Sequence, residues 1–308
     1  MKKFAPYLII FAALLWSLDG LLRRNLYSLP AETVVFLEHL LGFIVIAPIV
    51  FREKITVRRL PKKVLTSVAF IALFGGTIGT IAYTAAIGKI QYIPFSVVVL
   101  LQQLQPFFAI ALAGIVLKER ITPRFAGLAV IAVIAAYAVS FPDLRVNMTH
   151  GSETAVAALL AVTAAFSWGA STVFGRYALA SMSYMHLSAL RFGLTTVFAF
   201  LYVAASGRLG SIGAVTGLQW WYIVAIVFST GMVALLIYYR GLSHVPARIS
   251  TLLELSWPLS AIVVDVLFFH TTLSGTQWIG AAALFAVIVG LSRMSARQPL
   301  EELSGPHS

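Results

Sequence analysis

The 308-residue sequence contains no cysteine, and only 11% of its side chains are charged. The first absence excludes disulfides, thiolate metal sites and a cysteine nucleophile. The second excludes an ordinary soluble domain, in which about 25% of residues are charged. Enzyme signatures are also missing: there is no glycine-rich phosphate loop, no HExxH and no GxSxG-like frame. The histidines, His39, His150, His186, His244, His270 and His307, are too scattered for a metal cluster. These absences predict neither an enzyme nor a bound cofactor. The net charge of +11 would suit nucleic acid, but the basic residues sit between hydrophobic runs. They are better read as topology signals, and no nucleic-acid partner is expected.

What is present is apolar. Hydrophobic residues make up 60% of the chain and the mean hydropathy is +0.92. Windows of about 20 apolar residues mark membrane helices, and they predict ten spans, at 5–25, 31–51, 65–88, 94–116, 123–141, 154–177, 184–205, 218–239, 246–269 and 275–292. Polar backbone cannot face lipid unpaired, so each is expected to be helical. Lys2 and Lys3 before the first run imitate a signal peptide, but nine further apolar runs favour an uncleaved first span. With the N-terminus placed in the cytoplasm, sixteen Lys and Arg fall inside and five outside, with Arg191 within a span. This distribution predicts cytoplasmic termini in the cell (inner) membrane.

The chain also repeats itself. At an offset of 152 residues, Trp16 matches Trp168, Arg24 matches Arg176, Gly79 matches Gly231, Pro94 matches Pro246 and Pro106 matches Pro258. The expected units are 1–141 and 154–292, joined by a linker at 142–153 and followed by a tail at 293–308. Each half holds an odd number of spans, so the second copy must lie inverted relative to the first. Inverted repeats of this kind belong to secondary transporters, with substrate held at the repeat interface near midplane. The predicted fold is all-α integral membrane, ten helices in two inverted five-helix repeats.

A resemblance is carried by Leu15-Trp16-Ser17 in span 1, Ser167-Trp168-Gly169 in span 6 and Arg191-Phe192 in span 7. Leu117-Lys118-Glu119-Arg120-Ile121-Thr122 after span 4, with Gly127 following, adds to it. Together they resemble the drug/metabolite transporter superfamily, of the ten-helix EamA type. That resemblance implies movement of small metabolites through a cavity lined by spans 1–4 and 6–9. Phe269-His270-Thr271 stands where the second half would carry Lys118-Glu119, which argues against a functional role for the motif after span 4.

Candidate residues follow from polar groups in the wrong solvent. A charge at mid-bilayer costs about 2.5–3.5 kcal/mol on insertion scales, so intramembrane acids usually have a task or a partner. Glu254 shares a helix face with Ser250 and Trp257, and Gln102 is its repeat counterpart. In the functional reading Glu254 takes a proton or a substrate ammonium group while Gln102 bonds the other end of the substrate. Pro258 would leave the Glu254 carbonyl free as an acceptor. The alternative is an acid bonded to Ser250, Gln102 or water. Glu38 and His39 form a titratable pair on span 2; imidazole titrates nearest neutrality and suits proton relay. The alternative is packing, with Arg191 neutralising Glu38. Asp19 and Arg23, four apart, are expected to pair at the outer rim. Trp16, Trp168, Tyr83 and Trp257 fall on small or polar faces and suit cation–π contact with an amine. Gly75 and Gly79 are expected to let helices pack closely.

The function these residues predict is secondary transport of a small polar metabolite (an amino acid, amine or quaternary ammonium compound), with a proton or exchange as the coupling. The partners are the small-molecule substrate and the lipid bilayer; monomer and homodimer stay open. The rivals are an intramembrane lipid-modifying enzyme and a receptor or scaffold without transport.

Overall fold

The computed structural model describes residues 2–52, 60–88, 101–102, 104–144, 152–260 and 273–297. Among these, all regular structure is helical. The elements are α1 (Ala5–Trp16), α2 (Asp19–Arg23), α3 (Ala31–Arg52), α4 (Lys62–Phe70), a wide π-helical run (Ile71–Ile78) and α5 (Gly79–Ile87). They continue with α6 (Gln105–Val116), α7 (Pro123–Ser140), α8 (Ser152–Ala178), α9 (Tyr184–Ala205), α10 (Gly217–Phe228), α11 (Met232–Leu242), α12 (Ala247–Leu253) and α13 (Gly275–Arg297).

Seven helical stretches among the described residues are long and apolar enough to cross a membrane, at Ala5–Leu26, Ala31–Pro48, Lys62–Ile87, Ala155–Ala178, Tyr184–Ala205, Gly217–Leu242 and Gly275–Met294. They match seven of the expected spans. Span 5 is present as the shorter apolar α7. Spans 4 and 9 are described only in part, as α6 and α12; residues 94–100 and 261–269 lie outside the described set, with Pro94 and Asp265 among them. Large apolar side chains such as Ile115, Trp221, Ile279 and Phe285 point outward, while Asp19, Arg23, Glu38 and Arg191 are buried. Apolar outside and polar within is the arrangement a bilayer rewards.

Local sequence sets the helix ends. Thr122 accepts from the amide of Phe125 ahead of α7, and Ser183 caps α9 in the same way. Thr216 and Gln219 form a reciprocal capping box at α10. These caps satisfy amides that a helix start leaves orphaned.

The packing follows one pattern. α3 lies on α9, α7 on α13 and α6 on α12, while α1 packs on α11 and α8 packs on α5 and the π-helical run. Gly75 and Gly79 stand against Ser171 and Ser167, where a Cβ would overlap the serine side chains, so the expected close approach is present.

Several spans read as continuous helices are broken. α1 and α2 are separated by a turn at Ser17–Leu18, and α10 and α11 by Ser229–Gly231, where Gly231 adopts φ −88, ψ −100. α12 ends at Leu253 and helix resumes over 256–260. The last break has a direct cause. Pro258 has no N–H to give the Glu254 carbonyl, four residues back. The Trp257 amide takes that carbonyl instead, at 2.9 Å. The carbonyl expected to be a free acceptor is therefore occupied. Irregular backbone inside a membrane is tolerated where it lines a cavity, and all three breaks border the one described next.

Candidate functional site

A cavity of about 200 Å³ lies among α1, α2, α3, α5, α6, α8, α9, α11 and α12, with the breaks in its walls. Of the residues singled out from the sequence, Glu254, Gln102, Glu38, His39, Arg191, Trp16, Trp168, Tyr83 and Trp257 border it. Ser250 does not. It is buried behind the wall, its hydroxyl 3.4 Å from the Tyr238 phenol. Glu38 and His39 both border the cavity.

Glu254 stands at the break that follows α12, and both of its oxygens are engaged. Tyr238 donates its phenol to Oε1 at 2.7 Å, and Gln105 donates Nε2 to Oε2 at 2.7 Å. Tyr238 also meets the hydroxyl of Thr172 at 2.9 Å. The chain Thr172–Tyr238–Glu254–Gln105 thus runs from α8 through α11 and α12 to α6. The partner on α6 is Gln105, one turn beyond the repeat-matched Gln102. Gln102 instead has a buried amide nitrogen with no partner. The alternative reading had Glu254 bonded to Ser250, Gln102 or water; the donors at 2.7 Å are Tyr238 and Gln105.

A second polar cluster holds α2 in place. Arg23 binds Asp19 through two bonds, Nε to Oδ2 at 2.7 Å and Nη2 to Oδ1 at 3.1 Å. It also reaches Glu38 Oε2 at 3.1 Å and Thr84 Oγ1 at 3.2 Å. Thr230, in the break between α10 and α11, donates to Asp19 Oδ1 at 2.8 Å. Asp19 and Arg23 were expected to pair near the outer rim; they do pair, and both are buried and border the cavity.

The Glu38–Arg191 pair of the alternative reading is not formed among the described residues. Glu38 belongs to Arg23, and Arg191 donates Nη1 to the Tyr239 phenol at 2.6 Å with its guanidinium 5.7 Å from that ring's centroid. Arg23 was the nearer cation, one turn beyond Asp19 on its own short helix, and helix spacing alone did not reveal the turn that aims it. His39 gives one ring nitrogen to the carbonyl of Val35 at 2.9 Å and packs on Phe192.

Aromatic rings make much of the wall. Trp16 leans on Tyr238 and Trp168 leans on Tyr83, each pair with centroids 5.1 Å apart. Phe192, Tyr239 and Trp257 complete the set. Trp168 is fixed by donating Nε1 to the carbonyl of Gly75 at 3.1 Å, which also accepts from the Thr80 hydroxyl. Tyr238, Tyr239 and Thr172 were missed from sequence. Tyr238 does lie seven residues beyond Gly231, on the same helical face, and that spacing was the available signal. Among the described residues, no group of three or more His, Asp and Glu converges as a metal site would.

The motif after span 4 has a visible task. Lys118 adopts φ 54 and ends α6, and the next residue, Glu119, accepts from the amides of Ala247 and Arg248 at 2.8 and 3.0 Å. The Arg248 guanidinium lies 3.4 Å from the same carboxylate. Glu119 of the first half therefore caps the start of α12 in the second. Its counterpart region, Phe269–Thr271, lies outside the described residues.

Comparison with known proteins gives the chain a context. The profile of the EamA-like transporter family matches twice, over residues 3–141 and 155–293. The riboflavin transporter ImpX of Fusobacterium nucleatum is 33% identical over 290 residues, covering 94% of this chain and 97% of that protein. A relative from Archaeoglobus fulgidus described as an uncharacterized transporter is 22% identical, covering 93% and 96% respectively. A solved crystal structure shares the fold with a TM-score of 0.72 at 20% identity, across 95% of this chain and 96% of that one.

Proposed function

The chain belongs to the EamA-like transporter family, and we propose that it is a secondary transporter of a planar, polar, uncharged aromatic metabolite of the riboflavin type. The observation that carries this is the composition of the cavity wall. Seven aromatic side chains, Trp16, Tyr83, Trp168, Phe192, Tyr238, Tyr239 and Trp257, surround a site in which three carboxylates face two guanidinium groups. Flat rings favour a flat ligand through offset stacking and edge contacts. The named substrate of the ImpX relative fits that chemistry. An amino acid, amine or quaternary ammonium compound is the second reading, favoured by Glu254 beside Trp257 and Tyr238; it is weakened because both oxygens of Glu254 already have donors.

Transport would use two inverted halves of five spans each, ten in all, with termini in the cytoplasm of an inner-membrane protein. The pairwise packing supports this. Exchanging each span for its counterpart five later leaves the contacts of spans 2 with 7, 4 with 9 and 5 with 10 unchanged, and converts 1 with 8 into 6 with 3. The cavity is smaller than the about 300–1,000 Å³ of pockets that hold drug-sized ligands. A flavin would enter only as the halves rock apart, which is the motion alternating access requires. Glu254 and His39 supply protonatable groups for coupling. An intramembrane enzyme or a scaffold finds less support, since the matching family and both relatives are described as transporters.

A thermal-shift comparison in detergent tests the substrate class, because a ligand that binds the folded state raises its melting temperature by mass action. Riboflavin should give a dose-dependent rise, and amino acids and quaternary amines none. The opposite ranking would restore the amine reading.

A further inference from the structure

The two cations in the cavity are not equivalent. Arg23 is bracketed by Asp19 and Glu38, whereas Arg191 makes no ion pair among the described residues. Arg191 is 9% exposed, its Nη1 serves the Tyr239 phenol, and its Nε has no partner. Three other buried polar atoms on the wall are in the same condition: Gln102 Nε2, Ser171 Oγ and Thr251 Oγ1. Ser171 and Arg191 converge on one point, because a Cβ at Gly75 would overlap Ser171 Oγ and lie 3.5 Å from Arg191 Nη2.

The carboxylates give the opposite picture. Asp19 has Arg23 and Thr230, Glu38 has Arg23, and Glu254 has Tyr238 and Gln105. Of the four unpartnered atoms, Arg191 Nε and Gln102 Nε2 can only donate, and the Ser171 and Thr251 hydroxyls can donate or accept. An ammonium group brings three donors and no acceptor, and would leave the Arg191 and Gln102 donors unmet. A net anion would meet three carboxylates and two guanidinium groups, one of them already paired with two acids.

We propose that Arg191 and Ser171, with Gln102 and Thr251 opposite, form a subsite that takes the paired carbonyl oxygens of a dione heterocycle, such as the pyrimidine edge of a flavin. The assignment rests on the proposed aromatic substrate class. It makes Arg191 a specificity residue: its N–H groups and Gln102 Nε2 can only donate, to the two carbonyl oxygens, while a hydroxyl, Ser171 or Thr251, can accept from the imide N–H between them.

The test is titration of the purified protein by thermal shift and tryptophan fluorescence with three probes. Riboflavin carries the dione edge and the ribityl chain, lumichrome the dione edge alone, and flavin mononucleotide adds a phosphate. Wild type should bind riboflavin and lumichrome, and flavin mononucleotide no more tightly than riboflavin. Arg191→Gln should lose at least about tenfold for both uncharged probes, the size expected of a hydrogen bond from a charged donor. Arg191→Lys and Ser171→Ala should each lose part of that; if Arg191→Gln does not yield monodisperse protein, these two decide.

Unchanged affinity for lumichrome in the variants, with wild type binding normally, overturns the assignment alone. Loss confined to riboflavin places Arg191 at the ribityl hydroxyls and also overturns it. Tighter binding of flavin mononucleotide means an anion site and overturns it as well. A wild type silent to riboflavin and lumichrome overturns the substrate class, and this subsite with it.

Discussion

The Tyr238 phenol and the Glu254 carboxylate meet at 2.7 Å across the turn that joins α11 to α12. Gln105 approaches the other oxygen from the first half of the chain. Glu254 is therefore the point where a helix break in one half is tied to a helix start in the other. Protonating that carboxylate would remove the charge that both donors face, and so weaken the bond between the halves. Coupling of a proton to the rocking motion would work through this contact.

Glu254→Gln keeps the size and polarity of the side chain and removes its charge. The variant is expected to fold and to bind substrate, but to lose accumulation driven by a pH gradient. Substrate counterflow in proteoliposomes, measured with and without the gradient, separates the two effects. Wild-type accumulation in this variant would reduce Glu254 to a structural role.

Tyr238→Phe removes a donor from a buried carboxylate, a loss of about 1.5–3 kcal/mol for a bond to a charged group. The melting temperature should fall. In a Glu254→Gln background the same change should cost less, since the bond is then between neutral groups. A double-mutant cycle measures the coupling, and strict additivity would contradict it.

Arg23 is 3% exposed and holds two acids. Arg23→Gln leaves both without their cation and should destabilise by about 3–5 kcal/mol, the range for breaking a buried pair. Adding Glu38→Gln should recover part of that loss. The combination of Glu38→Gln with Arg191→Gln should instead be additive, because those two side chains do not pair. Thermal denaturation of the single and double variants reads both outcomes.

Glu119→Ala removes the carboxylate that caps α12, worth about 0.5–2 kcal/mol for a lost cap. It also loosens a contact between the halves on the side predicted to be cytoplasmic. The chain has no cysteine, so a single cysteine at Thr172 reports access to the cavity without interference. Its labelling by a membrane-impermeant thiol reagent from the cytoplasmic side should quicken in the Glu119→Ala background. An unchanged rate would mean that the cap has no part in gating.

Much of the fold was legible because membrane helices announce themselves by length and hydropathy. The candidate residues were found for the same reason: Glu254, Glu38 and Arg191 are conspicuous in apolar runs, and all three border the cavity. Their partners were less legible. Helical periodicity extends a face straight through Ser17–Leu18 and Glu254–Leu255, whereas the chain breaks there and turns the following side chains. Arg23, not Arg191, reaches Glu38, and Gln105, not Gln102, reaches Glu254. Tyrosines went unnoticed because they are ordinary in membrane spans; only a carboxylate neighbour makes Tyr238 special. Glu119 was discounted for lacking a counterpart in the second half, yet its task lies in capping that half.

The central claim is transport of a riboflavin-like metabolite through the aromatic cavity between the halves. The most direct measurement is counterflow of labelled riboflavin into proteoliposomes preloaded with unlabelled riboflavin, since it needs neither a known coupling ion nor a known direction. Uptake above protein-free liposomes, abolished when Trp168 and Tyr83 are both replaced by alanine in protein that remains monodisperse, is the predicted result. Absence of riboflavin counterflow in wild-type protein that does exchange amino acids or amines would contradict the account.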